Sequence, residues 1–129
     1  MNTVFTNGCF DILHRGHIEL LKFCKQHGHV IVGLNSDSSI RRIKGPDRPV
    51  FPQQDRKFML ESCMYVDEVV VFEEDTPLDL IKSIKPDIIV KGGDYKKEDV
   101  VGNKLAKVLV FDYINGHSTT KIIQNIVNR

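Results

Sequence analysis

Apolar residues along the chain follow two alternating rhythms. The continuous runs are "TVFTN" at residues 3–7, "HVIVGL" at 29–34, "DEVVVF" at 67–72, "DIIVK" at 87–91 and "AKVLVF" at 106–111. They are short and dense in apolar, mostly β-branched residues, as in strands of a parallel sheet buried on both faces. Between them the spacing changes to that of helices. From residue 17, "HIELLKFCKQ" places Ile18, Leu21 and Cys24 on one stripe, and Gly28 is a natural stop. "DRKFMLESCM" from residue 55 predicts a helix whose inner face is Phe58, Met59 and Cys63. In "TPLDLIKSI", Thr76 caps, Pro77 takes the first helical position and Asp79 completes a capping-box-like start. "STTKIIQNIVN" predicts a last helix. This alternation predicts the α/β class, with a single doubly wound parallel sheet. No internal repeat, low-complexity tract or linker interrupts it.

A chain of 129 residues fits one domain with a real core. Its formal charge of +1 gives no bulk electrostatic case for nucleic acid or an anionic membrane. Cys9, Cys24 and Cys63 form an odd set without C-x-x-C spacing, which reads as reduced thiols and favours the cytoplasm. Neither a targeting segment nor a run of membrane-spanning length is expected.

In a doubly wound sheet, ligands bind beyond the carboxyl ends of the strands. The segments to inspect are therefore 7–17, 35–44, 92–95 and 115–120. In the first, His14 and His17 stand three apart around a helix start, where free backbone N–H groups and the positive end of the helix dipole suit a phosphate. Gly16 between them removes a side chain where a polyphosphate would come close. Two other readings stay open: a pair of surface histidines, or a zinc site made with Cys9 and Asp11. In "KGGDY", Gly92 and Gly93 let the backbone turn near a ligand, and Asp94 presents a carboxylate suited to ribose hydroxyls. Ser118, Thr119 and Thr120 open the last helix, where hydroxyls serve outer phosphates or act as caps.

"NGCFDILHRGHIELL" resembles the first motif of the H-x-G-H nucleotidyltransferases, the cytidylyltransferase-like family, and "HSTTKII" resembles their second. The similarity runs over nearly the whole chain, so residues 1–129 are expected to form one Rossmann-like nucleotidyltransferase domain. Within the family, "VGLNSD", "RRIKGPDRPV", "FEEDTP" and "VKGGDY" are most similar to members that adenylylate heptose 1-phosphate to ADP-heptose. Many of those carry a fused sugar-kinase domain, which is not expected here.

The resemblance implies roles. His14 and His17 would bind the triphosphate and stabilise charge on the α-phosphoryl group. Asn7, Gly8 and Phe10 would line the nucleotide pocket. Lys44, followed by Gly45 and Pro46 in what reads as a loop, matches a lysine that reaches phosphate groups. Arg56 falls where the family has a helix arginine that can approach nucleotide or substrate; an exposed helix face is the plain alternative. Arg41, Arg42 and Arg48 add local positive charge, and Asp11 is expected to cap the histidine-bearing turn rather than touch a ligand. The expected reaction transfers AMP from ATP to a sugar 1-phosphate. Mg²⁺ would arrive on the nucleotide phosphates rather than in a protein metal site, and the family implies a homodimer. Glycerol-3-phosphate cytidylyltransferase, using CTP, is the alternative enzyme. It carries an arginine and an acidic residue ahead of the serine-threonine motif, where this chain has Tyr113 and Ile114. A nucleotide-binding domain without turnover is the alternative of another class.

Overall fold

The structure is a computed structural model and describes residues 2–93, 95–112 and 119–129. Five strands, β1 (Thr3–Gly8), β2 (His29–Asn35), β3 (Glu68–Phe72), β4 (Ile88–Gly92) and β5 (Lys107–Phe111), pair in parallel in the order β3-β2-β1-β4-β5. The chain builds outward from β1 to β3, then crosses back to place β4 on the other side of β1. The reversal of order therefore falls between β1 and β4, where such sheets open a ligand crevice.

The period-two alternation of the strands loads both faces. On one, Val4, Val30, Val32, Leu34, Ile88 and Val90 pack with Leu20, Leu21 and Cys24 of α1 (Arg15–Lys25) and Leu60 of α3 (Gln53–Glu61). On the other, Phe5, Ile31, Ile89 and Val108 pack with Ile81 of α4 (Leu78–Ile84) and with Val100, next to the 3₁₀ turn Lys97–Asp99. Gly33 makes room on this second face. A Cβ there would stand 2.7 Å from the Phe5 ring and 3.2 Å from Leu80, so any side chain would displace the core. The last helix, α5 (Thr119–Val127), follows β5. No helix among the described residues is long and apolar enough to cross a membrane.

Several expectations are corrected. Residues 37–44, for which the apolar pattern predicts no element, form a helix, α2 (Asp37–Lys44). Ser36 caps it by accepting from the Ser39 amide, Asp37 stands in its first turn, and Arg41, Arg42 and Lys44 stand in its last. Gly45 leaves it at φ 104, a left-handed exit that suits glycine. In α3 the inward residues are Arg56 and Leu60, with Cys63 beyond the helix end, while Phe58 is 70% exposed. Spacings of four and three residues set that stripe, and Phe58 falls off it. Finally, α4 begins at Leu78 with Pro77 in the cap position and no side-chain cap, so Thr76 does not serve there.

Candidate active site

Beyond Gly8, β1 leaves the sheet through a loop in which Phe10 (φ 46) and Ile12 (φ 59) are both left-handed, a conformation that persists only when its surroundings enforce it. The enforcement comes from Asp11, which is 2% exposed. Its carboxylate accepts from the Val50 amide at 2.6 Å and the Phe51 amide at 2.9 Å, and its carbonyl accepts from the Thr119 hydroxyl at 2.5 Å. Asp11 is structural, as expected, but as an anchor for residues 50–51 and 119 rather than as the cap of the turn.

The cap is histidine. His14 occupies the N-cap of α1 with extended backbone, and its Nδ1 accepts from the Gly16 amide at 3.0 Å. The His14 amide in turn donates to Nδ1 of His17 at 3.3 Å. This is a capping box in which two imidazoles take the places usually filled by Ser or Thr and Glu or Gln. The rings stack at 3.8 Å between centroids, and His17 meets Phe10 at 5.3 Å. A neutral imidazole that accepts at Nδ1 carries its proton at Nε2, so each ring is fixed as an Nε2–H donor. Burial, reinforced by His14 beside it and opposed by Asp11, pushes His17 down to about 4. Near neutral pH His17 is therefore a neutral hydrogen-bond donor. Gly16, expected to admit a polyphosphate, is buried in the first turn, and its amide is already given to His14.

Arg56 is also corrected. Its side chain is fully buried and does not line the cavity described below. Nε donates to the Phe51 carbonyl, Nη1 to the carbonyls of Cys9 and Asn35, and Nη2 to the Asp37 carboxylate at 2.8 Å. One guanidinium thus ties together the loop after β1, the end of β2, the start of α2 and residue 51. Four of its five N–H donors are given to protein groups, and the exposed helix face weighed as its alternative setting does not occur.

These contacts surround a cavity of about 890 Å³ at the carboxyl ends of the strands. It gathers Asn7, Gly8, Phe10, His14 and His17 from β1 and the segment after it, and Lys44 and Arg48 from α2 and the chain beyond. Gly92 lines it at the end of β4, and Thr119 and Thr120 line it at the start of α5. Asp94 and Ser118 lie outside the described residues. Arg48 stands 3.7 Å from the Asp11 carboxylate, whereas Arg42 turns outward to Asp75 and the Glu73 carbonyl. Among the described residues no three His, Cys, Asp or Glu side chains converge, and the carboxylate of Asp11 and both imidazole Nδ1 atoms are held by amides. Sequence reasoning missed Lys91, Tyr95 and Asp99, which also line the cavity. Lys91 and Tyr95 stood inside the "VKGGDY" stretch that carried part of the resemblance.

Comparison with known proteins places this geometry. The chain is 58% identical over 125 residues to Bifunctional protein HldE of Nitratiruptor sp. and 54% identical to that of Campylobacter fetus, in each case over 95% of its own length. It spans only about a quarter of those relatives, 27% of each. Among solved structures, a lipopolysaccharide core biosynthesis protein from Thermoplasma volcanium superposes with a TM-score of 0.73 at 28% identity, covering 88% of this chain and 97% of that one. Pantoate-beta-alanine ligase from Francisella tularensis shares the fold, with a TM-score of 0.57 at 15% identity over 99% of this chain and 72% of that one. The family described as cytidylyltransferase-like matches residues 5–125, from the strand that leads into the histidine box to the helix that anchors Asp11. With its five parallel strands in the Rossmann-like nucleotidyltransferase arrangement, the chain belongs to the cytidylyltransferase-like family.

Proposed function

We propose that residues 1–129 act as one nucleotidyltransferase domain that transfers AMP from ATP to heptose 1-phosphate, releasing pyrophosphate and forming ADP-heptose. The observation that carries this reading is the histidine capping box, which fixes two Nε2–H donors beside the cavity. An oxygen of the acceptor phosphate attacks the α-phosphorus. The bond from that phosphorus to the bridging oxygen breaks, and pyrophosphate leaves with the electron pair. The nucleophile is already anionic, so no general base is required and the rate comes from positioning and charge stabilisation.

His14 and His17 meet the charge that grows on the α-phosphoryl oxygens. Because the cap fixes their orientation in the free protein, little reorganisation remains when the transition state forms. Thr120 and the first amides of α5 suit the outer phosphates. The Thr119 hydroxyl proton is engaged by the Asp11 carbonyl, which leaves its backbone for that task. Lys44, exposed at the end of α2, can swing onto phosphate. The cavity's lysines, arginine and N–H donors suit a polyphosphate that brings its own Mg²⁺, which would supply charge neutralisation for the pyrophosphate. Asp94 and Ser118 keep their expected roles at the ribose and the phosphates. A homodimer in the cytoplasm completes the reading, in keeping with three free cysteines.

The test is a matrix of ATP and CTP against heptose 1-phosphate, another sugar 1-phosphate and glycerol 3-phosphate, with pyrophosphate as the readout. ATP with heptose 1-phosphate should be the fastest pair. Nucleotide binding without pyrophosphate release for any pair would replace the enzyme with a binding domain.

A further inference from the structure

Lys91 is a cavity cation that the capping and clamping contacts leave unused. It stands near the end of β4, paired in register with Val110 of β5, and lines the cavity together with Tyr95 and Asp99. The other lining cations have evident settings. Arg48 lies against Asp11, Lys44 is exposed at the end of α2, and Lys121 belongs to the first turn of α5. Lys91 is half-buried, and its Nζ sits 5.0 Å from the centre of the Tyr95 ring. Among the described residues no carboxylate comes within ion-pair distance of it. Burial lowers its pKa below the usual lysine range. An aromatic face offsets only part of the cost of desolvating an ammonium, so the position suits an arriving anion.

In-line displacement supplies a reason for a separate cation there. The attacking and leaving oxygens lie on opposite sides of the α-phosphorus, so the incoming phosphate needs a positive partner distinct from those on the pyrophosphate. The cavity carries what a phosphorylated polyol requires: the Lys91 ammonium with the Tyr95 ring beside it as an aromatic face for C–H groups, and, elsewhere in its lining, Asp99 as a hydroxyl acceptor. We propose that Lys91 holds the phosphate of the acceptor, with Tyr95 and Asp99 completing that subsite; this rests on the nucleotidyl-transfer reading above.

Lys91→Met and Lys91→Arg test it, with steady-state kinetics in heptose 1-phosphate and calorimetric titration of a non-hydrolysable ATP analogue. Met should raise the acceptor KM 10- to 100-fold while changing analogue affinity less than twofold, and Arg should recover most of the loss. An unchanged acceptor KM, or analogue affinity falling as far as acceptor affinity, would overturn the assignment. If the wild-type protein releases no pyrophosphate with heptose 1-phosphate, the functional reading fails on its own. Lys91 is then judged by ³¹P-NMR titration with inorganic phosphate: binding weakened at least fivefold by Met and retained by Arg upholds its anion role, and equal binding by all three proteins removes it.

Discussion

His17→Gln separates the two jobs of one side chain. Glutamine at this helical position can accept from the His14 amide through Oε1, so the capping box survives, but the rigid ring's Nε2–H is exchanged for an amide NH₂ on a flexible stem that is not aimed where the ring was. At pH 7 the variant should lose no more than about 0.5 kcal/mol of stability, against roughly 1 kcal/mol for His17→Ala, which removes the acceptor for the His14 amide. Its kcat should nevertheless drop by roughly 10²- to 10³-fold, the usual loss for one preorganised donor. The same pair also tests the electrostatics. The folded protein holds His17 near 4 against 6.5 for a free histidine, so between those values the unfolded chain binds more protons and acid favours unfolding. Stability from this group is complete above pH 6.5 and is lost as pH falls toward 4. By linkage, the loss between pH 7 and pH 5 is about 2 kcal/mol. Urea unfolding of wild type and His17→Gln at both pH values reports the effect, because titrating groups away from the histidine box cancel in the difference. Ring ¹⁵N shifts report the tautomer and the midpoint directly. A His17 titration at or above 6.5, an Nδ1–H tautomer, or a glutamine variant with wild-type kcat would refute the reasoning.

Three other outcomes follow from the site. ATP should be preferred to CTP by at least tenfold in kcat/KM, about 1.4 kcal/mol, and competition between the two nucleotides measures it. Thr120→Ala should weaken ATP by about 1–3 kcal/mol while sparing AMP, whereas Thr119→Ala, which loses the bond to Asp11, should chiefly lower the thermal midpoint; calorimetry on both variants distinguishes them. Arg56→Met should destabilise the fold by about 3–5 kcal/mol, because it strands the Asp37 carboxylate and three carbonyls, and Arg56→Lys should restore only part of this in chemical denaturation.

The strands were legible because their apolar runs are unbroken, and α1, α4 and α5 because periodicity and turn residues agree with them. Helix α2 was not, because residues 37–44 hold only Ile40 and Ile43 as apolar members. Its signal lay in Ser36, the basic last turn and Gly45, that is, in capping rather than hydropathy. Arg56 shows a different limit. No spacing distinguishes an arginine buried among carbonyls from one on a solvated face, because its partners come from residues 9, 35, 37 and 51. The histidine pair was visible as a phosphate motif, but its reciprocal cap depends on the extended backbone of His14. Lys91 was hidden by its strand, where it read as the polar end of an apolar run.

Asp11 binds partners 40 and 108 positions further along the chain. On the ribosome, at roughly 5–20 residues per second, about 5 to 20 s pass between the synthesis of Asp11 and that of Thr119. The histidine motif precedes most of this sequence, and residues 50–51 can hold the Asp11 carboxylate early, yet the last bond to the loop that aims it waits until α5 has been made. A nascent chain lacking α5 should therefore already hold much of the sheet while binding nucleotide poorly. If the chain binds nucleotide as proposed, that binding should follow the formation of α5.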